Sequence, residues 1–165
     1  INISSKFVMK NKSQINKELI SNKHIVKPIE FIYYINPKKA FNKIYSKVKL
    51  QGKLLVLGRN NFDIKKFSNE NIPEFMSVHS SKGLESDNVI LINMTDDMYG
   101  FPNKIVNSKL IEELHPSDKT YLYAEERRLF YVALTRTKNK VYILVSLFRR
   151  SIFIKEIKNL TKAIL

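Results

Sequence analysis

The chain has 165 residues, 44% of them hydrophobic and 27% charged, the balance of a globular protein rather than a disordered one. It has no cysteine, which excludes disulfides and thiolate metal sites, and His24, His79 and His115 lack ligand spacing, so no metal site is expected. A formal charge of +14, from 29 Lys and Arg against 15 Asp and Glu, suits a polyanionic partner, nucleic acid above all, although a codon-driven surplus of lysine is an alternative source.

Neither a secretory signal nor an apolar run of bilayer length is present, so a cytoplasmic protein without a membrane partner is expected. After a polar start, Ser13 to Asn22 reads as a short helix with Ser13 as N-cap. The run "IEFIYYI" at 29–35 is β-rich and ends at the turn signal Asn36-Pro37. In "KKAFNKIYSKVK", Ala40, Phe41, Ile44, Tyr45 and Val48 recur at helical spacing. "KLLVLG" is the unbroken apolar run of a strand covered on both faces. A short helix around 61–68, a strand at "FMSVH" and a second buried strand at "NVILIN" follow.

Residues 94–123 break this rhythm. They hold Gly100, Pro102 and a short helix around Ser108 to Leu114, and they read as an excursion from the sheet. A helix over 124–137, the strand "KVYILVS" and a terminal helix facing inward through Ile157, Leu160 and Ile164 complete the chain. Strands alternating with helices predict one α/β domain over 1–165, with right-handed crossovers and a mostly parallel sheet of about five strands. Chemistry in such sheets sits beyond the carboxyl ends of the strands.

Three segments fall at strand ends. Arg59 follows the buried strand "LLVLG", either as a site residue or as a plain surface arginine. The segment "FMSVHSSKGLES" opens after Ser77 and His79 into a turn of Ser80, Ser81, Lys82 and Gly83, whose amides, hydroxyls and lysine could cradle phosphate. Glu85, just past it, would repel phosphate and suits sugar hydroxyls; alternatively Ser-Ser caps a helix that favours Glu85. In "EERRLFYVALTR", Leu129, Val132 and Ala133 lie on one helical face and Arg136 falls on the same line. Arginine keeps its charge, and burying it unpaired is costly, so Arg136 should meet an anion, either a ligand or a structural carboxylate. Glu125, Glu126, Arg127 and Arg128 read as a solvated or salt-bridged surface cluster. The chain lacks G-x-x-x-x-G-K-[ST] and the acidic pair that holds Mg²⁺, which points to half of a nucleotide site.

"VHSSKGLE" and "EERRLFYVALTR" together resemble motifs V and VI of the UvrD/Rep-like superfamily 1 DNA helicases. "LLVLGRNN" resembles the motif IV region, and "GFP" at 100–102 resembles the intervening segment of helicase IV-like members. The resemblance runs from about Lys53 to Ser146, and residues 1–28 match poorly. It implies a RecA-like C-terminal (2A) motor domain. ATP and Mg²⁺ would be held mainly by a separate N-terminal motor domain carrying the Walker motifs. It further implies Arg59 and Arg136 as arginine fingers converging on the γ-phosphate, and Glu85 at the ribose with Lys82 and Gly83 shaping that loop. Ser77, His79 and Ser80 would lie on the backbone of single-stranded DNA.

Three positions depart from the family pattern. Ser77 stands where Thr is common, Ser86 where an apolar residue is common, and Gly58 where many members stack an aromatic on adenine. The expected activity is that of an ATP-dependent DNA helicase or translocase, with this piece inactive alone. The alternative is a stand-alone nucleic-acid-binding module that lost ATPase function. Ile1 in place of an initiator Met favours a truncated piece of a longer protein, and a helicase–nuclease would carry a nuclease domain beyond Leu165.

Overall fold

The computed structural model describes residues 2–9, 27–105 and 123–162. The helices expected at Ser13–Asn22 and Ser108–Leu114, and Ile164 of the terminal helix, lie outside the described residues. In chain order the elements are α1 (Asn2–Val8), β1 (Ile29–Tyr34), α2 (Pro37–Lys49), β2 (Leu54–Gly58), a 3-10 turn (Asp63–Lys66), β3 (Phe75–Ser77), β4 (Ser86–Leu91), α3 (Ala124–Thr135), β5 (Thr137–Ser146) and α4 (Ile152–Lys162). The five strands form one sheet in the order β1-β5-β4-β2-β3, and every pairing is parallel. This is the α/β, RecA-like architecture expected.

Period-two alternation sorts the central strands onto two cores. Leu55, Leu57, Val89, Leu91, Val141, Ile143 and Val145 face one layer with Leu129, Phe130, Phe153 and Ile157. Leu54, Val56, Ile90, Ile92, Tyr142 and Leu144 face the other with Phe41, Ile44 and Val48. All five residues of β2 are buried, as an unbroken apolar run in a doubly covered strand requires. The chain moves one way across the sheet from β1 to β2 and back from β4 to β5. Right-handed crossovers therefore place α2 and α3 on opposite faces.

Some boundaries differ from expectation. The helix expected at 61–68 is only the 3-10 turn, and β3 stops at Ser77. Strand β5 begins at Thr137, directly after Arg136, which serves as the C-cap of α3. The described part of the 94–123 excursion packs against the core. Met94 and Phe101 are fully buried, and the Phe101 ring packs edge-on against Phe130 at 5.6 Å.

The poorly matched N-terminus also contributes to the core. Phe7 of α1 is fully buried, edge-on to Phe130 at 5.0 Å and Phe153 at 5.2 Å. Truncating it would leave a cavity between three helices, so Phe7→Ala should lower unfolding free energy by about 3–5 kcal/mol. Urea denaturation followed by circular dichroism measures this; a loss below about 1 kcal/mol would mean that α1 is dispensable to the core.

Candidate nucleotide and DNA contacts at the two sheet edges

A parallel sheet has an amino edge and a carboxyl edge, and the candidate residues divide between them. Arg59 follows the last residue of β2, so it stands at the carboxyl edge. Arg136 immediately precedes β5, and Glu85 immediately precedes β4, so both stand at the amino edge. Helix α3 runs antiparallel to the strands and joins the two edges; ten residues of helix between Glu126 and Arg136 span about 15 Å. The expected convergence of Arg59 and Arg136 on one point is therefore corrected.

Arg59 is also ion-paired. Its Nε donates to both carboxylate oxygens of Glu126 at 2.9 Å, and its second guanidinium nitrogen donates to Oε1 at 2.7 Å. The Asn103 amide donates to Oε2 at 2.8 Å. The Arg59 side chain is 12% exposed and that of Glu126 is 2% exposed. The buried ion pair considered for Arg136 is realised at Arg59 instead.

The Glu–Arg cluster is corrected at the same time. Glu125 and Arg128 form an exposed pair at 3.4 Å, as expected of a surface, but Glu126 and Arg127 are buried. Arg127 forks onto both oxygens of Glu156 at 2.7 Å and lies over the rings of Phe7 and Phe153. It thereby joins α1, α3 and α4. The periodicity that singled out Arg136 also held the signal for Glu126, which begins the stripe continued by Leu129, Phe130 and Ala133.

Around Arg59, the crevice between the diverging chains after β2 and β4 is filled by the protein itself. Asp63 is fully buried and accepts from the Asn60 amide at 2.9 Å and from Asn93 Nδ2 at 2.9 Å. Burial pushes its carboxyl above the ordinary range, and these hydrogen bonds offset part of that rise. Asp63 and Asn93 belong to no motif, because their role is read only from their neighbours in space. Gly58 has a packing reason too. A Cβ there would lie 2.9 Å from Asp63 Cβ and 3.1 Å from the Phe75 ring, so an adenine-stacking aromatic has no room just before Arg59.

Arg136 contrasts with Arg59 on every count. Its Nε donates to Val132 O at 3.1 Å, one terminal nitrogen to Leu84 O at 3.2 Å and the other to Thr135 Oγ1 at 3.3 Å. All three acceptors are neutral. No carboxylate among the described residues pairs with it. The first bond also caps a helix C-terminal carbonyl, where a cation is favoured. The Ser86 amide in turn donates to Arg136 O at 2.9 Å, so bonds from Arg136 flank Glu85 on both sides. Glu85 is 62% exposed, with Lys138 at 3.9 Å.

The turn linking β3 to β4 runs from the carboxyl edge to the amino edge. Its amides at Ser80, Ser81, Lys82 and Leu84 donate within the turn, so the expected backbone cradle for phosphate is largely occupied. The exposed groups are the side chains of His79, Ser80 and Lys82. Ser77 is buried, and its hydroxyl lies 2.9 Å from that of Ser80, so it orients Ser80 rather than facing solvent. Gly83 has φ +83°, a left-handed conformation that only glycine adopts without strain.

The sequence profile of the UvrD-like helicase C-terminal domain matches residues 60–147, more than half of the chain. The chain belongs to this family. Escherichia coli K12 DNA helicase IV is 40% identical over 87 residues, covering 53% of this chain and 13% of that protein. The putative ATP-dependent DNA helicase YjcD of Bacillus subtilis is 29% identical over 143 residues, covering 72% of this chain and 18% of that protein. The chain thus spans less than a fifth of either relative. A crystal structure of the C-terminal domain of a possible DNA helicase from Lactobacillus plantarum WCFS1 superposes with a TM-score of 0.54 at 12% identity, covering 94% of this chain and 89% of that one, which shows a shared fold. The profile begins at Asn60, so the UvrD-like match covers Glu85 and Arg136 but leaves Arg59 just outside.

Proposed function

We propose that this UvrD-like domain is the C-terminal motor half of an ATP-dependent DNA helicase or translocase. Its amino edge completes a nucleotide site, and its carboxyl edge touches single-stranded DNA. The single observation that carries the reading is the pairing of Arg136 with the Glu85 loop at one edge, with the guanidinium held only by neutral acceptors among the described residues. A cation placed by packing, with no counter-charge among the described residues, suits the charge that develops on a transferring phosphoryl group. Arg136 is the arginine finger in this reading. Glu85 accepts from ribose hydroxyls, and Lys82 and Gly83 shape the loop between them. ATP and Mg²⁺ are held mainly by a Walker-bearing domain, since this chain has no Walker loop of its own.

At the other end of the β3–β4 turn, His79 and Ser80 contact the DNA backbone, with Ser77 positioning Ser80. Arg59 is not a finger in this reading; it anchors α3. Because one turn joins both sites, closing of the nucleotide cleft shifts the DNA contacts, which is the coupling that translocation requires. The purified chain should hydrolyse no ATP, with or without single-stranded DNA, in a phosphate-release assay. Turnover by the chain alone would overturn the half-site reading.

A further inference from the structure

The outer surface of α2 carries charge that neither edge uses. Lys38, Lys39, Lys43, Lys47 and Lys49 are all exposed, and the helix contains no acidic residue. Lys39, Lys43 and Lys47 recur every four residues, so they form one stripe with a rise of about 6 Å between neighbours. Elsewhere, several surface cations meet carboxylates: Lys104 meets Asp96, Lys138 meets Glu85, Lys140 meets Glu30 and Arg149 meets Asp97. On α2, Lys49 reaches Glu74 and Lys38 reaches the Asn69 side chain. No carboxylate among the described residues pairs with Lys39, Lys43 or Lys47.

This arrangement opposes helix stability in two ways. Like charges at i,i+4 repel, and lysines in the first turn oppose the helix dipole. The helix is held instead by its inward face of Phe41, Ile44 and Val48 and by the Asn36 cap, which accepts from the Lys39 amide at 3.0 Å. Exposed cations also stand on other elements, Lys6, Lys53, Lys65, Lys82 and Lys155 among them; on α2, three of them share one face of a helix that carries no acid. That face lies on the side of the sheet opposite α3, away from both Arg136 and the His79 turn.

We propose that the outer face of α2 is a sequence-independent docking surface for duplex DNA, engaged through the phosphate backbone. A rigid row of cations suits a regular polyanion, and a duplex carries one charge per about 1.7 Å of axis, twice the density of a single strand. This takes from the motor reading only the nature of the partner. The test is fluorescence anisotropy of a labelled duplex titrated with the chain at several salt concentrations. In the variant Lys39→Gln/Lys43→Gln/Lys47→Gln, the slope of log affinity against log salt should become shallower by about 2 to 3, with the circular dichroism spectrum unchanged. A control, Lys6→Gln/Lys140→Gln/Lys155→Gln, removes the same charge and should change the slope by less than about 1.

An unchanged slope in the α2 variant, or an equal change in the control, would overturn the proposal. So would a change seen with single-stranded but not duplex DNA. A full helicase that keeps its ATP turnover after Arg136→Ala would defeat the motor reading and leave this surface standing. Loss of turnover together with an unaltered α2 slope would do the reverse.

Discussion

In a helicase that joins this domain to its Walker-bearing partner, Arg136→Ala should lower DNA-stimulated ATP turnover about 10³-fold or more. Nucleotide affinity should stay close to wild type, and the domain should stay folded with a modest fall in its melting temperature. That rate loss corresponds to about 4 kcal/mol of transition-state stabilisation. The bonds of the residue go to Val132 O, Leu84 O and Thr135 Oγ1, each of them contributing about 1 kcal/mol net to stability, a cost that melting reads separately from the rate. Arg136→Lys should recover little, because an ammonium lacks the planar fork that engages two phosphoryl oxygens. Steady-state turnover, nucleotide binding and thermal melting of the same preparations check the three parts separately. Wild-type turnover in Arg136→Ala would remove the finger assignment.

Arg59→Ala should behave in the opposite way. It leaves the Glu126 carboxylate, 2% exposed, with only the Asn103 amide as partner among the described residues. Removing one member of a buried pair costs about 3–5 kcal/mol, so denaturant midpoints should fall sharply before any question of activity arises. Glu126→Ala should cost a similar amount, since it strands the guanidinium. The double variant Arg59→Met/Glu126→Leu should be more stable than either single alanine, because no charge then remains buried. Equal stability of wild type and Arg59→Ala would mean that the pair does not anchor α3. The two arginines that the motif resemblance joins are thus separated by one pair of measurements, turnover for Arg136 and stability for Arg59.

Much of the fold was legible because the local patterns are strong. The run at β2 is apolar throughout, and α2 shows clean helical spacing after an Asn-Pro start. Both record burial in the order of the residues. What failed was local reading where the deciding partner is distant in sequence. Phe7 gives no sign from its neighbours that it packs under Phe130 and Phe153. Phe101 sits in a segment that reads as a loop, yet its ring belongs to the core. Glu126 reads as a solvated helix-start acid, which its position on the apolar stripe contradicts.

By itself the sequence determined the parallel α/β architecture and membership of the helicase family, and it named Arg136 and Glu85 as candidates, because periodicity and motif spacing are properties of adjacent residues. Only the tertiary structure decided which candidates share an edge and which are already neutralised. The strands are parallel, so residues before β4 and β5 meet at one end while Arg59, after β2, stands at the other. A guanidinium is available to a ligand only if no carboxylate from another element has reached it first, and for Arg59 that carboxylate lies 67 residues away on Glu126.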